Sequence, residues 1–397
     1  MPKRLFLLDG MALAYRAYFS LIRTPLINSK GMNTSAIYGF INALNKLIED
    51  EKPDYIAVAF DTDEPTFRHK QYDGYKAMRQ AMPDDLIPQI DKIKEVISAF
   101  NIPMIEKHGF EADDIIGTLV KRAEKEKVLS FMVTGDKDFM QLINKNIRLY
   151  KPSRSVQGNK IADVEIIDEA GVVARFGVGP DKVTDILALM GDKVDNVPGV
   201  PGIGEKTATQ LIQDFGSIEN LYKNIDKVTK PKLKENLITH KGNAFLSKQL
   251  ATIHCEIPLD VDFHTLIASE KNVTLLEKLY REFEFRTLLK KLLGSTEQSL
   301  NIQAEPVKEE VPQTSVKGPM LDINSNPHKY YTIKNDAELK KLVKKLRTLD
   351  EFSFDTETTT ENPIESDLVG LSFSYDENEA FYVPFLFKEQ DDKDLFG

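Results

Sequence analysis

Three short apolar runs, residues 4–8, 55–60 and 129–133, each lead into an aspartate: Asp9, Asp61 and Asp136. Runs of four to six such residues read as buried strands. Between and after them, residues 36–49, 88–100 and 113–126 repeat apolar side chains with a period near 3.6 and read as helices. Strand–helix–strand alternation implies a parallel sheet with helices on both faces, an α/β fold. Sheets of that kind place their chemistry at the carboxyl ends of their strands. All three aspartates fall at or just past such an end.

The pattern changes further along. Over residues 170–290 strand signals are scarce, and helical stretches at 183–190, 205–213, 232–239, 244–252 and 273–280 are broken by Gly and Pro. Residues 295–327, rich in Ser, Thr, Gln, Glu and Pro, read as a flexible linker. Then come a strand (330–333), a helix (337–346), a strand (351–355) and a hairpin (367–384), too little for a full α/β core. The expected division is an α/β domain over 1–170, a helical region over 171–294, the linker, and a partial domain over 328–397.

Composition narrows the partners. At 41% hydrophobic and 29% charged, the chain is not disordered throughout. No apolar run reaches the ~18 residues of a membrane helix, so no membrane partner is expected. The N-terminus reads as too soon charged for a secretory signal. A single cysteine, Cys255, excludes an internal disulfide or a Cys-based zinc site and fits a reducing cytoplasm. The net charge of −10 argues at first against nucleic acid. It is unevenly spread, however: residues 296–397 hold 11 Lys+Arg and 21 Asp+Glu, whereas residues 1–295 hold 41 of each.

Five motifs supply nine carboxylates: Asp9; Asp61; Glu111, Asp113 and Asp114; Asp136 and Asp138; Asp192 and Asp195. Asp136 and Asp138 lie two apart beyond a strand and can face one point. Asp192 and Asp195, three apart, share a face on a helical turn. Glu111 and Asp114 share a face too, while Asp113 turns away from Glu111 unless the helix begins between them. Any one of these motifs alone reads as a turn or a helix cap. Five together, three at strand ends, point to metal binding, because a hard divalent cation removes the mutual repulsion of clustered acids. With no His or Cys in the motifs, the cation expected is Mg²⁺ or Mn²⁺, and a pair of ions suits phosphodiester hydrolysis. Leaving the nine aside, residues 1–295 hold 41 basic against 32 acidic residues, which suits a DNA-binding surface around a metal site.

Two further segments carry phosphate-binding features. Residues 196–207 place Gly199, Gly202 and Gly204 before Lys206 and Thr207, between two helices. The glycines permit φ > 0 and close backbone approach, and the N–H groups of the next helix can face a phosphate. This reads as a helix–hairpin–helix, which holds DNA backbone without reading sequence. Residues 66–82 interleave Arg68, Lys70, Lys76 and Arg79 with aromatics that include Tyr75, the usual recipe for single strands. Arg16 is a weaker phosphate-contact candidate.

In order along the chain, Asp9, 60-Phe-Asp-61, 74-Gly-Tyr-Lys-76, 109-Gly-Phe-Glu-Ala-Asp-Asp-114, 134-Thr-Gly-Asp-Lys-Asp-138 and 191-Gly-Asp-Lys-Val-Asp-Asn-Val-Pro-Gly-199 resemble the 5′ nuclease (PIN/flap-endonuclease-like) family found at the N-terminus of bacterial DNA polymerase I. The resemblance spans the first 290 residues. It implies that Asp9, Asp61, Glu111, Asp113, Asp136, Asp138, Asp192 and Asp195 hold or orient two divalent ions, with Asp114 in the same cluster. It places Lys76 and Arg79 in an arch over the site, with Lys76 near the scissile phosphate, and makes Lys76, Arg79, Asp113 and Asp136 the catalytic candidates. The implied substrates are DNA with 5′ flaps or nicks and RNA–DNA primers, cut by a monomer in the bacterial cytoplasm. After the linker, 354-Phe-Asp-Thr-Glu-Thr-358 resembles the first motif of a 3′–5′ exonuclease of RNase H-like fold. The further carboxylates that such a site needs are missing, so Asp355 and Glu357 form half a site. Neither proofreading nor polymerase activity is expected of these residues, and the chain reads as a piece of a longer protein.

Two other readings compete. In one, the hairpin is the working part of a DNA-binding module without chemistry. In the other, Asp355 and Glu357 serve a 3′–5′ exonuclease. The number of acids in the five motifs, beyond any need for caps, favours the nuclease.

Overall fold

Strand β1 (Arg4–Asp9) alternates its side chains between two cores. Leu5 and Leu7 enter one; Phe6 and Leu8 enter the other. All four are at most 1% exposed, each worth about 1.5–3 kcal/mol of burial. A strand covered on both faces needs apolar residues at every position, which is why this run is continuous rather than alternating.

The computed structural model describes residues 3–152, 164–267, 269–294, 329–333, 335–349, 351–358, 368–376 and 379–384. The chain divides into two units, Met1–Asn301 and Ile302–Gly397. In the first, β1, β2 (Tyr55–Ala59), β3 (Met104–Ile105), β4 (Leu129–Val133), β5 (Ile147–Lys151) and β6 (Glu165–Ile167) form one sheet in the order β3-β2-β1-β4-β5-β6. Every pairing is parallel except β5–β6. The parallel sheet was expected; β3, β5 and β6 carry too weak an apolar pattern to have been read from the sequence.

Helices cover both faces. The face of Phe6 and Leu8 packs residues of α1 (Gly10–Ser20), α2 (Ser35–Glu51) and α4 (Ile87–Ala99); α3 (Phe67–Gln71) lies between β2 and α4 in the chain. The face of Leu5 and Leu7 packs α5 (Ala112–Lys125), and the same core runs on through α6 (Glu169–Phe176), α7 (Val183–Met190), α8 (Glu205–Phe215), α9 (Ile218–Lys223), α10 (Pro231–Thr239) and α11 (Lys241–Ala251). No break in packing falls near residue 170. Helices α12 (Val273–Glu282) and α13 (Arg286–Leu293) then return to the opposite face, against α4 and the Phe6 core.

The second unit contains β7 (Lys329–Thr332), α14 (Asp336–Leu346), β8 (Ser353–Thr358), β9 (Leu368–Asp376) and β10 (Glu379–Pro384), with a sheet in the order β7-β10-β9-β8. The expected linker over 295–327 and the tip of the expected hairpin lie outside the described residues. No helix among the described residues is long and apolar enough to cross a membrane.

Candidate active site

The parallel strands end in a cleft of about 320 Å³ that gathers Asp9, Asp61, Glu111, Asp113, Asp136, Asp138 and Asp195 from five chain segments, together with Lys76 and Arg79. Backbone amides hold several of the acids in place. Asp9 closes β1 and caps α1, its Oδ1 accepting from Ala12 N at 2.9 Å. Asp61, just past β2, accepts from Ala112 N at 2.8 Å and so pins the strand end to the start of α5. Asp136 accepts from Asp138 N at 2.9 Å in the turn after β4. Thr134, a residue to which the sequence reading gave no role, joins two of the motifs. Its hydroxyl donates to Asp9 Oδ2 at 3.1 Å and accepts from Asp136 N at 3.2 Å.

Helix α5 begins at Ala112, between Glu111 and Asp113. Glu111 is extended backbone (φ −96°, ψ 162°), so Asp113 joins it in the cleft and Asp114 does not. The helix N-terminus favours the negative charge placed there. Asp192 and Asp195 meet by a different route from the helical turn expected. Gly191, at φ +69°, ends α7, and residues 192–197 form a tight turn closed by paired hydrogen bonds between Asp192 and Val197. An added Cβ at Gly191 would lie 2.5 Å from Val197 O, so only glycine fits. Asp195 lines the main cleft; Asp192 lines a smaller pocket beside it and pairs with Lys137 at 3.3 Å.

Crowding raises the proton affinity of these acids. Burial, with the Asp61 charge nearby, lifts Asp9 to about 7. Burial and then the neighbouring Asp136 lift Asp138 to about 8. Asp113 is pushed well above the usual carboxylate range by burial and by the charges of Asp136 and Asp9. Asp138 also carries a buried Oδ1 with no hydrogen-bond partner among the described residues. An all-oxygen donor set with an orphaned carboxylate oxygen fits a hard divalent cation. Glu111 and Asp195 engage Lys76 (2.9 Å) and Arg79 (2.6 Å), and as the described side chains stand no three carboxylates converge tightly enough to hold one ion.

The basic segment folds down onto this cleft. Lys76 takes the left-handed backbone region at φ +56°, and its N–H donates to Asp195 O at 2.9 Å. Asn196 Nδ2 donates to Gly74 O at 2.7 Å. Two members of the expected DNA-contacting set line the same cleft with their polar groups already engaged. Arg68 is only 2% exposed and is locked to Asp114, itself fully buried. Tyr75 is 5% exposed and donates its hydroxyl to Glu111 Oε2 at 3.1 Å, so its ring is not free to stack on a base. Asp114 thus supports the cleft from behind, while Arg68 and Tyr75 form part of its wall. Lys70 is exposed on α3.

The hairpin lies between α7 and α8, as its glycines suggested. Gly199 (φ +57°) and Gly202 (φ +79°) use the left-handed region; Gly204 does not, being the extended N-cap of α8 with open space where a Cβ would point. Gly199 N donates to Ser247 Oγ on α11 at 2.8 Å. Lys206 is exposed and Thr207 half-buried in the first turn of α8; neither borders the acidic cleft. Arg16 lines a separate, largely apolar groove between α1 and α2. In the second unit, Asp355 and Glu357 are exposed on β8.

Comparison with known proteins agrees with this arrangement. Models of the 5′–3′ exonuclease match residues 4–177 (N-terminal resolvase-like domain) and 178–274 (C-terminal SAM fold), and a 3′–5′ exonuclease model matches residues 330–396. DNA polymerase I of Caldicellulosiruptor bescii is 42% identical over 289 residues, covering 73% of this chain and 33% of that protein. DNA polymerase I of Pseudomonas aeruginosa is 38% identical over 396 residues, covering 96% of this chain and 40% of its own length. The chain thus spans well under half the length of these curated relatives. Among solved structures, the T5 D15 protein co-crystallised with metal ions matches with a TM-score of 0.50 at 18% identity, over 73% of this chain and 98% of its own. The catalytic core of Rad2 in complex with DNA substrate matches with a TM-score of 0.50 at 18% identity, over 74% and 91%. At that identity the likeness shows the fold, a PIN-like flap-nuclease sheet with its helical companion. The chain belongs to the 5′–3′ exonuclease family, carrying the 5′–3′ exonuclease domain found in DNA polymerase I followed by the start of a 3′–5′ exonuclease.

Proposed function

We propose that the acidic cleft hydrolyses phosphodiester bonds near the 5′ end of DNA, at flaps and nicks and on RNA–DNA primers, with two Mg²⁺ or Mn²⁺ ions, as part of bacterial replication and repair in the cytoplasm. The observation that carries this reading is the convergence of seven carboxylates from five segments beneath Lys76 and Arg79. Asp9, Asp61, Glu111, Asp113, Asp136 and Asp138 would hold the ions, with Asp192 and Asp195 at the rim. Divalent ions bound there would acidify an attacking water and offset charge on the leaving oxygen.

The chain's own residues supply the rest. Thr134 and the amides of Ala12, Ala112 and Asp138 would hold Asp9, Asp61 and Asp136 in place, while Glu111 and Asp195 would turn from Lys76 and Arg79 as ions bind. Lys76 Nζ, paired with Glu111, would meet the negative charge that builds on a reacting phosphate, and Arg79, paired with Asp195, would hold a neighbouring one. The hairpin at 199–204, with Lys206, would grip duplex backbone away from the cut and leave sequence unread.

The test is a 5′-flap substrate labelled at either end, incubated with the chain, which would act as a monomer, and with Mg²⁺ or EDTA. Cleavage near the junction that requires Mg²⁺ is expected. Binding without turnover would favour a DNA-binding module. Products shortened from the 3′ end would transfer the activity to Asp355 and Glu357.

A further inference from the structure

We infer that Arg68 and Asp114 form a positioning clamp: they set Glu111 and Asp113 for ion binding and tie that site to the chain segment leaving α11. The inference rests on the reading of the cleft as an ion-dependent nuclease site.

The guanidinium has five N–H donors, and five acceptors surround it. Two are the oxygens of Asp114, at 2.8 and 2.9 Å, in a fork-to-fork pair. Nε donates to Leu250 O and Nη2 to Thr252 O, each at 2.9 Å. Nη1 reaches Glu111 Oε2 at 3.4 Å. Asp114 is equally occupied, accepting from the backbone N–H groups of Glu111 (3.2 Å) and His254 (2.9 Å). Arg68 lines the cleft but has no side-chain oxygen to offer an ion, and Asp114 lies outside the lining with both oxygens engaged. If the pair acted only on stability, an apolar pair of similar volume would serve about as well. Apolar residues could not orient the Glu111 carboxylate, fix the first turn of α5 and bind two carbonyls of the 250–254 segment at once.

A second side chain repeats the arrangement from the turn that follows β4. Gln141 donates to Asp138 O at 2.8 Å and Ala251 O at 2.9 Å, and accepts from Ile253 N at 3.0 Å. The 250–254 segment is thus bound from both carboxylate-bearing turns. Through Ser247 on α11 it also reaches Gly199 of the hairpin. A duplex held at the hairpin is thereby held in a fixed place relative to the carboxylates.

The experiment compares the wild type, Arg68→Gln, Asp114→Asn and the double variant. Mn²⁺ binding is measured by calorimetry without DNA, single-turnover flap cleavage with Mn²⁺, duplex affinity in EDTA, and folding by circular dichroism. Each single variant is expected to lose about 10–100-fold in Mn²⁺ affinity and cleavage rate, the usual cost of losing a residue that orients a ligand. The double variant should be no worse than the poorer single one, and duplex affinity should stay within about threefold. Loss of Mn²⁺ binding in Asp114→Asn but not in Arg68→Gln would make Asp114 a direct ligand and overturn the clamp. Loss of duplex affinity alone in Arg68→Gln would make Arg68 a DNA contact and do the same. Should Arg68→Gln fail to fold, Arg68→Lys carries the test, since it keeps the buried charge without the fork; Mn²⁺ affinity equal to wild type would then overturn the clamp. A wild type that binds no Mn²⁺ would instead sink the reading of the cleft itself.

Discussion

Two sets of carboxylates in this chain, one in each unit, could hardly differ more. In the first unit, Asp9, Asp61, Glu111 with Asp113, and Asp136 come from four separate segments to one cleft, several of them fixed by a backbone amide. In the second, Asp355 and Glu357 are neighbours on one face of β8, an edge strand of the described sheet, and both are exposed. Sequence spacing can put two acids side by side. Only tertiary structure puts seven around one volume, at a cost in burial and then in mutual repulsion that raises the proton affinities of Asp9, Asp113 and Asp138.

The sharpest way to break that contrast is to remove one acid from each set. Asp136→Ala should lower Mg²⁺-dependent flap cleavage by about 10³-fold or more, because losing an ion ligand forfeits several kcal/mol of charge stabilisation. Asp355→Ala, in the same assay, should leave the rate unchanged. Equal losses would mean that the two sets work as one site; no loss in Asp136→Ala would mean that the cleft is structural.

Lys76→Ala comes next. A cation that meets charge developing only at the reacting phosphate should be worth roughly 10²–10³-fold in single-turnover rate. Substrate affinity should fall far less, since uniform binding does not distinguish the transition state. Parallel losses in rate and affinity would reduce Lys76 to a phosphate anchor.

A third prediction concerns protons alone. Asp9 rises to about 7 and Asp138 to about 8, against an ordinary value of 3.8. The folded, ion-free chain therefore holds protons that the unfolded chain releases, so stability is greatest below about pH 4 on this account and declines as pH rises towards 8. Melting in EDTA should shift down by several degrees between pH 5 and 8, given roughly 2–4 °C per kcal/mol in domains of this size. Saturating Mn²⁺ should abolish or reverse the trend, because ion binding is strongest where the carboxylates have lost their protons. A melting temperature in EDTA that rises over this interval would show that the cleft acids are not crowded.

Much of the cleft was legible in the sequence because strand ends and short turns are local. An apolar run followed by Asp fixes where a carboxylate emerges from a parallel sheet, and three such runs place three acids at one edge. The start of α5 was legible only as an alternative, since whether Asp113 or Asp114 joins Glu111 turns on a helix boundary one residue wide. What was not legible is long-range. Nothing near Arg68 in the chain announces that its five donors will be taken up by Asp114, Glu111 and carbonyls some 180 residues away. Its basic neighbours made it look like a DNA contact. The turn at 192–197 had a signal, in Gly191 before it and 198-Pro-Gly-199 after it, which favours a loop over the helical turn that the three-residue spacing suggested.

The smallest effect belongs to the hairpin, and it separates holding DNA from cutting it. Lys206 is exposed in the first turn of α8, beside the open backbone of Gly204 and away from the cleft. A phosphate contact of that kind releases about one counterion and reads no base. Lys206→Ala should therefore weaken duplex binding alike on unrelated sequences and lower the slope of log affinity against log salt by about one. Cleavage of bound substrate in a single turnover should be unaffected, because no carboxylate of the cleft depends on that side chain. If Lys206→Ala slowed single-turnover cleavage at saturating enzyme, the hairpin would be doing more than gripping duplex, and the path from Gly199 through Ser247 to the 250–254 segment would be where to look for the coupling.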